Sequence, residues 1–551
     1  MAAQTGEAFH GDAFDYVIVG AGTAGCVLAN RLSADPKSRV CLIEAGPPDN
    51  SYKIRVPAAV AAAIGDKRFG WGYSSTPQPG AGGRRIFIPR GRVIGGSSSI
   101  NGMVYFRGHP RDFDDWSSVH GAKGWSYAEV LPYFKRSEDN RTWRDSPYHG
   151  TGGEMTVIDI PRNNPLIDNF LAATDALQFK RNGDFNGPDP EGFGPRQATI
   201  KGGLRVSMAS AFLDPARRRP NLMVLSDTVV ARVLIDGKRA VGVEIDQDGV
   251  RRRLACRKEV VLCGGAYGSP QVLLLSGIGD PKALKAVGVE PVHALPAVGR
   301  TLGDHPAAAM AMRTQSPESY GLSWRALPRD LWNIAQYLTA RKGPIASNLL
   351  EGHGFVRSRP GLERPDLQLV FIPAHRNASG FPIPFGHGYG VISINVRPRS
   401  RGAVTLASPD PRAAPAIDPN FFSDPEDIQT VYRGLQLGRQ ILGSPAFARQ
   451  RAHEIIPGPG VQDEAAWLDH IRNTSVTVHH PSGTCRMGTA PDTVVDPELK
   501  VRGLQGLRVA DASVFPEPIA GNSNAGVVMV AEKAADLILG RPAPAPVDAP
   551  H

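Results

Sequence analysis

The sequence has few cysteines and no long hydrophobic run. Five cysteines occur among 551 residues, and no two of them form a C-x-x-C pair. A small, odd set of this kind argues against a disulfide-stapled secreted fold and fits a reducing compartment. No stretch of 18 apolar residues occurs, which excludes a membrane-spanning helix. The first residues lack the basic and apolar regions of a signal peptide, so the sequence predicts a cytoplasmic protein.

The net charge is positive, but the basic residues do not show the pattern of a nucleic-acid-binding protein. Lys and Arg number 62 against 53 Asp and Glu, a formal net charge of +9. The densest basic clusters, Arg217 to Arg219 and Arg251 to Arg253, contain no interleaved aromatic residues. We therefore interpret both as solvated surface and expect no nucleic-acid partner. Whether the basic charge selects acidic substrates stays open at this point.

The N-terminal part of the chain has a strand–helix–strand pattern. Phe14 to Val19 is a short apolar, β-branched run, which is typical of a buried parallel strand. An amphipathic segment that ends at Asp35-Pro36 predicts a helix, and a second strand runs from Arg39 to Ile43. The pattern predicts an α/β fold.

Three glycines and one acidic residue in this unit match a dinucleotide-binding motif. Gly20, Gly22 and Gly25 supply G-x-G-x-x-G between the first strand and the helix. They allow, in this order, a tight turn, backbone approach to a pyrophosphate, and packing of the helix on the strand. The helix N-terminus offers free N–H groups to phosphates, and Glu44 can accept hydrogen bonds from ribose hydroxyls. The motif does not separate NAD from FAD.

Other stretches indicate further organisation. The sequence GGSSS, from Gly95 to Ser99, can cradle a ligand with its N–H and hydroxyl groups, although a plain Gly/Ser turn explains it equally well. From residue 310 to 465, strand-length segments alternate with Pro-rich loops, which predicts a second domain with a mainly antiparallel sheet. Residues 542–551 are Pro/Ala-rich and predicted to be disordered.

Long motifs in order along almost the whole chain resemble the glucose–methanol–choline oxidoreductase family of FAD enzymes. The similarity is greatest to its choline dehydrogenase-like and alcohol dehydrogenase branch. Besides the glycine motif and Glu44, the matching stretches are GRVIGGSSSINGMVYFRG (91–108), GWSYAEVLPYF (124–134), GSPQVLLLSGIG (268–279), DHP (304–306), RPRSRGAVTLASPDPRAAPAIDPNFFSD (397–424), HHPSGTCRMG (479–488) and GNSNA (521–525).

The resemblance implies FAD and not NAD, in a discontinuous Rossmann-like domain of residues 12–160, 215–310 and 466–541. It implies a substrate domain of residues 161–214 and 311–465, built on a mainly antiparallel sheet covered by helices. Non-covalent FAD is expected, because Ile100 stands where some family members attach the flavin through a histidine. No metal is implied, and the oligomeric state stays open.

The resemblance also assigns residues to the cofactor. The glycine motif and the end of the second strand would bind the ADP half. A strand residue near 230 would contact the adenine, and residues 93 and 101–104 would line the isoalloxazine. By motif matching, the cofactor-binding residues are Gly20, Gly22, Thr23, Ala24, Gly25, Glu44, Ala45, Val93, Gly96, Ser97, Asn101, Gly102, Met103, Val104, Val230, Asp511, Ala512 and Asn522.

His480 is the candidate general base. Alcohol oxidation by a flavin requires loss of the hydroxyl proton, and a histidine with a pKa near 7 suits this task. His480 matches the histidine of the family motif H-P-x-G-T, and Pro481 restricts its backbone to extended angles. A hydrogen-bonded core histidine is the alternative. We interpret the neighbouring His479 as a wall of the pocket and not as a second base.

Asn522 matches the family position that holds the substrate oxygen. Its amide can donate a hydrogen bond without competing for the proton. An N-cap is the other interpretation, since Asn522, Ser523 or Asn524 begins the next predicted helix, and the two roles are compatible. The positive end of that helix would stabilise negative charge on a reduced flavin.

The predicted function is oxidation of a primary alcohol or polyol to the aldehyde, with electrons passing to a quinone or another acceptor. An oxygen-using alcohol oxidase is the first alternative. A flavin-containing hydroxynitrile lyase, in which the histidine transfers only a proton, is the second. The expected partners are therefore a small-molecule alcohol and an electron acceptor. No motif identifies the alcohol.

Overall fold

Two seven-stranded sheets organise the structure, a computed structural model that describes residues 13–375, 377 and 385–549. The stretch examined for a signal peptide lies almost entirely outside the described residues, as do the last two residues of the predicted tail. Among the described helices, none combines the length and the apolar character needed to cross a membrane.

The first sheet has a parallel centre. Ala13–Val19 pairs in parallel with Val40–Ile43 on one side and with Val250–Leu262 on the other. These strands are buried on both faces where they meet, as their continuous apolar runs predict. Across the sheet the order is Leu222–Leu225, Val40–Ile43, Ala13–Val19, Val250–Leu262, Arg239–Gln247 and Val229–Asp236, with Leu507–Val509 paired to Val250–Leu262.

Two helices that are far apart in sequence pack together beside this sheet. Thr23–Leu32 follows the first strand, and Asn524–Leu539 comes from the C-terminal part of the chain. A Cβ atom at Gly25 would lie 1.9 Å from the carbonyl oxygen of Gly20, so only glycine permits this approach of helix to strand. The N-termini of both helices lie side by side, where the Thr23 hydroxyl donates to Asn524 Oδ1 at 2.7 Å.

The second sheet is antiparallel throughout. One face packs on the helices Leu166–Ala176, Pro425–Leu442 and Glu464–Thr474 in a separate hydrophobic core. Across the sheet the order is His453–Ile456, Pro306–Thr314, His387–Asn395, Leu367–Ile372, Gly352–Val356 and Gly192–Pro195, with Val476–Thr477 paired to Pro306–Thr314.

Two strands of this sheet cross the domain limits that the resemblance implies. Pro306–Thr314 begins before residue 310, and Val476–Thr477 comes from the segment assigned to the FAD domain. The reason is direct pairing, since Pro306 lies opposite Thr477 and Ala307 opposite Val476. Through this pairing, a segment assigned to the FAD domain contributes a strand to the sheet of the substrate domain.

The tail predicted to be disordered lies against the protein as far as the structure describes it. The Val547 N–H donates to the Ala128 carbonyl at 2.9 Å, and Ala549 is buried. Although the Pro-rich sequence forms no helix or strand there, its small apolar residues pack on the first sheet's core.

The remaining elements are short or peripheral. Further helices are Tyr52–Arg55, Val60–Ile64, Pro110–Ser118, Tyr127–Ser137, Asp214–Ala216, Gly265–Leu275, Pro281–Ala286 and Leu327–Ala340. Short 3-10 and π turns are Pro57–Ala59, Pro79–Ala81, Gly96–Ser99, Ala209–Leu213, Pro344–Ala346, Pro445–Gln450 and Ala512–Val514. Smaller sheets use Tyr73–Ser74, Phe87–Ile88, Val104–Tyr105, Glu138–Asn140, Met155–Asp159, Gln197–Ala198, Ile200–Lys201, Leu204–Arg205, Ile278–Gly279, His293–Ala294, Ala403–Thr405 and Ala416–Asp418.

Candidate active site

A cavity of about 730 Å³ is lined by residues from both large sheets. Most of the residues that the sequence assigns to the cofactor and the pocket lie in its wall. These are Gly20, Gly22, Thr23, Ala24, Glu44, Ala45, Gly96, Ser97, Asn101, Gly102, Met103, Val104, Val230, His479, His480, Asp511, Ala512 and Asn522.

Two of the assigned residues do not line the cavity. Gly25 lies behind the glycine turn, where it packs the helix on the strand. Val93 is fully buried in a cluster with Ile54, Phe69 and Ile100 and does not itself line the cavity. The apolar side chain at this position packs in the hydrophobic core beneath the loop.

The two glycine-rich stretches form one cradle. The Gly95 N–H donates to the Ala21 carbonyl at 2.7 Å, and a Cβ at Gly96 would lie 2.7 Å from the Cα of Gly22. Gly22 is the N-cap of its helix and has no side-chain cap, so the first N–H groups of that helix have no intrahelical acceptor. This arrangement suits a pyrophosphate, because such a helix start attracts and binds anions. The GGSSS stretch is therefore part of the wall and more than a plain turn.

Glu44 supports the cradle and still has capacity for a ligand. Its carboxylate accepts hydrogen bonds from the Ala21 N–H at 2.9 Å and the Gly46 N–H at 3.0 Å. Burial raises the pKa of Glu44 to about 7, against the opposing effect of these hydrogen bonds. A carboxylate offers about four lone-pair positions, so positions remain for two ribose hydroxyls. The cradle and Glu44 together fit the ADP half of FAD.

The second helix start also faces the cavity. Ser523 is the N-cap of Asn524–Leu539 and makes no side-chain cap. The side chain of Asn524 is used elsewhere, since its Oδ1 accepts from the Thr23 hydroxyl at 2.7 Å. Asn522 precedes the cap, so the structure separates it from the N-cap role. The uncapped N–H groups leave a positive end beside Asn522.

His480 is held between an amide and a second histidine. Its Nε2 lies 3.0 Å from Asn522 Nδ2, and its Nδ1 lies 3.1 Å from His305 Nδ1. An amide NH₂ only donates, so this contact makes Nε2 an acceptor and places the ring proton on Nδ1. Nδ1–H then donates to His305 Nδ1. The lone pair of His480 Nε2 thus faces Asn522.

Asp304 fixes the backbones of both histidines. Its Oδ1 accepts the N–H of His305 and the N–H of His480, each at 2.8 Å, and its Oδ2 accepts the Thr477 hydroxyl at 2.5 Å. The residue is buried at the point where Pro306 pairs with Thr477. Sequence reasoning missed Asp304 and His305 as site residues, although both belong to the DHP motif that it quoted.

The surroundings keep the histidines neutral. Burial lowers the pKa of His480 well below its usual value, and the positive charges of Arg90 and Arg196 act in the same direction. Burial likewise lowers the pKa of His305 and of His479 to about 3. Arg90 donates to the His479 carbonyl at 2.6 Å, which holds this segment in place. His480 is therefore in its base form at neutral pH.

Comparison with known proteins agrees with this geometry. The family described as GMC oxidoreductase matches residues 14–307 with its N-terminal part and 398–531 with its C-terminal part. An alcohol dehydrogenase [acceptor] of Pseudomonas putida is 43% identical over 97% of both chains. An oxygen-dependent choline dehydrogenase of Rhizobium etli is 43% identical over 96% of both. The crystal structure of pyridoxine 4-oxidase from Mesorbium loti superposes with a TM-score of 0.85 at 33% identity, over 95% of this chain and 98% of that one. The chain belongs to the GMC oxidoreductase family and is an FAD-dependent oxidoreductase that acts on CH–OH groups.

Proposed function

We propose that this protein oxidises a primary alcohol to the aldehyde, with His480 as general base. The observation that carries the proposal is the pairing of His480 Nε2 with the Asn522 amide in the cavity wall. FAD, when bound, supplies the acceptor for the hydride that leaves the carbinol carbon. The hydroxyl proton passes to His480, so the alcohol loses two electrons and two hydrogens in all.

The chain's own residues would act in a defined order. A bound alcohol donates its O–H to the Nε2 lone pair of His480 and displaces one N–H of Asn522. That freed N–H then donates to the alcohol oxygen, which becomes more negative as its proton leaves. His305 holds the His480 ring in the tautomer that leaves Nε2 unprotonated.

The cofactor would be held by groups that the fold has already placed. The glycine cradle and Glu44 would bind the ADP half, and Val230, which lines the same cavity, would contact the adenine. Asp511 and Ala512 would lie beside the pyrophosphate and ribityl chain. The Asp511 carboxylate is itself fixed by the Gly265 N–H at 2.8 Å and by a second hydrogen bond from a serine hydroxyl. A rigid carboxylate of this kind positions a polyol chain well.

We also propose that electrons pass to an acceptor other than oxygen, in a reducing compartment such as the cytoplasm. The name of the Pseudomonas putida relative supports the first point. All five cysteines lie in the described part of the chain, are buried and form no disulfide, which supports the second.

Anaerobic mixing with a panel of primary alcohols tests the function. We expect the flavin absorbance to bleach with at least one alcohol and to recover faster with an added quinone than with air. Secondary alcohols serve as the control for the electron donor and added NAD as the control for the electron acceptor, because neither should support turnover. A flavoprotein that no alcohol reduces would refute the proposal, and one that air reoxidises at full turnover would be an oxidase.

Non-covalent attachment of FAD has a separate test. Ile100 lies in the cavity wall at the place of the family's linking histidine, and its side chain has no nucleophile. Acid precipitation is expected to release all of the yellow colour into the supernatant, as measured by its absorbance. Flavin retained by the washed pellet would contradict this expectation.

A further inference from the structure

Arg196 is a buried cation in the cavity wall, and no described residue supplies a counterion to it. It lies between the strands Gly192–Pro195 and Gln197–Ala198, and it is 3% exposed. Within the described part of the chain, no group accepts a hydrogen bond from its guanidinium, and its Nε is buried without a partner. Burial lowers the pKa of Arg196 to about 9, so the side chain is still charged at neutral pH.

Other buried arginines of this protein donate hydrogen bonds from the guanidinium, although Nη2 of Arg205 is also buried without a partner among the described residues. Arg205 donates to the Ile54 carbonyl at 2.7 Å and to the Asn101 carbonyl at 2.6 Å. Arg107 pairs with Glu138 at 2.5 Å, where both side chains are fully buried. An unpaired buried charge is strongly unfavourable, so a folded protein keeps one mainly where a ligand supplies the partner.

On the side of the second sheet the cavity wall is mainly apolar, with Gln368 as a polar member. Val370, Ile372, Ile392 and Ile394 project from one face of that sheet into the cavity. The charge of Arg196 also contributes to the lowered pKa of His480, so the two groups belong to the same space. A ligand that fills this space has an apolar body, a hydroxyl at His480 and an acceptor at Arg196.

We propose that the substrate is a primary hydroxy acid whose carboxylate pairs with Arg196. This inference rests on the proposed function and adds the substrate class. A carboxylate matches the planar guanidinium with two parallel hydrogen bonds. A phosphate monoester would bring a second negative charge, whereas the other arginines that line the cavity, Arg84, Arg85 and Arg90, already donate to backbone carbonyls.

Matched substrate pairs test the proposal. The ω-hydroxy acids of three to eight carbons are compared with their methyl esters, and kcat/KM is measured for each. At the best chain length we expect the acid to exceed the ester about 10- to 100-fold, the range of a charge-assisted hydrogen bond. In Arg196→Met the ratio should fall to about one, and in Arg196→Lys it should be intermediate. Arg218→Met removes an exposed charge outside the cavity and should keep the native ratio.

The native enzyme offers a measurement that needs no variant. Hexanoate should inhibit oxidation competitively and hexanamide should inhibit at least tenfold more weakly, since both fill the apolar wall but only one pairs with Arg196. Equal kcat/KM for acids and esters, with flavin reduction by both, would overturn the inference and leave the proposed function intact. Flavin loss in Arg196→Met would assign Arg196 to the cofactor and also overturn it. Flavin that no alcohol reduces would reject the proposed function itself.

Discussion

Replacing His480 by alanine is expected to slow flavin reduction by a factor of about 10² to 10⁴, the usual cost of removing a general base. FAD should remain bound, because the cradle of Gly20, Gly22 and Gly96 lies elsewhere in the wall. Anaerobic stopped-flow absorbance measures the rate, and the flavin spectrum before mixing reports the cofactor content. His453→Ala is the matched control, since His453 is exposed and does not line the cavity.

The pH dependence gives an independent check on the base. Because burial lowers the pKa of His480 well below the ordinary histidine range, the ring is already neutral at pH 7. The native kcat/KM should therefore stay level through neutral pH and fall only in acid, as His480 becomes protonated. His480→Ala should lack this acid limb. A native profile that rises steeply between about pH 6 and 8 would assign the ionisation to another group.

Neighbouring variants separate the roles in the site. Asn522→Ala should slow flavin reduction but keep the acid limb, because an amide does not titrate. His305→Leu removes the acceptor of His480 Nδ1–H and should lower the reduction rate more than it changes KM. His479→Ala should change KM more than the reduction rate. A collapse of reduction in His479→Ala beside a near-normal His480→Ala would mean that the base is His479.

Gly25→Ala is expected to abolish FAD binding and to destabilise the fold. The added Cβ would lie 1.9 Å from the Gly20 carbonyl oxygen, so the helix Thr23–Leu32 must move off the strand. The cost should be about 3 kcal/mol or more, the upper range for overpacking in a rigid core. Displacing the helix also displaces the N–H groups that face the phosphates, so flavin content should fall with stability.

The control for this variant is another glycine with free space around it. A Cβ at Gly460 meets no atom within 4 Å, and Gly460 does not have a positive φ. Gly460→Ala should therefore change stability by less than about 0.5 kcal/mol. Flavin absorbance per protein and thermal unfolding distinguish the two variants. Native flavin content and melting temperature in Gly25→Ala would show that the turn can adapt to the clash.

The first sheet and its cofactor follow from local sequence patterns. The strand Ala13–Val19, the helix Thr23–Leu32 and Glu44 lie within one short stretch. There the apolar periodicity predicts the strand and the helix, and the glycines and the acidic residue predict the dinucleotide site. The family, the fold class, FAD and oxidation at CH–OH groups are confirmed by the comparisons. The roles of His480 and Asn522 stay predictions, although the structure brings their side chains to 3.0 Å.

What surrounds His480 was decided by the tertiary structure. His305 is 175 residues away in sequence, and the two rings meet because Pro306 pairs with Thr477 across the second sheet. The position of Val93, behind the cavity wall, was decided in the same way. A local pattern shows that a strand forms but not which strand it pairs with, because pairing depends on the burial and register of distant segments. Arg196 is the clearest case: the sequence determined that a cation stands there, and only the packing of the cavity wall around it left that cation without a partner.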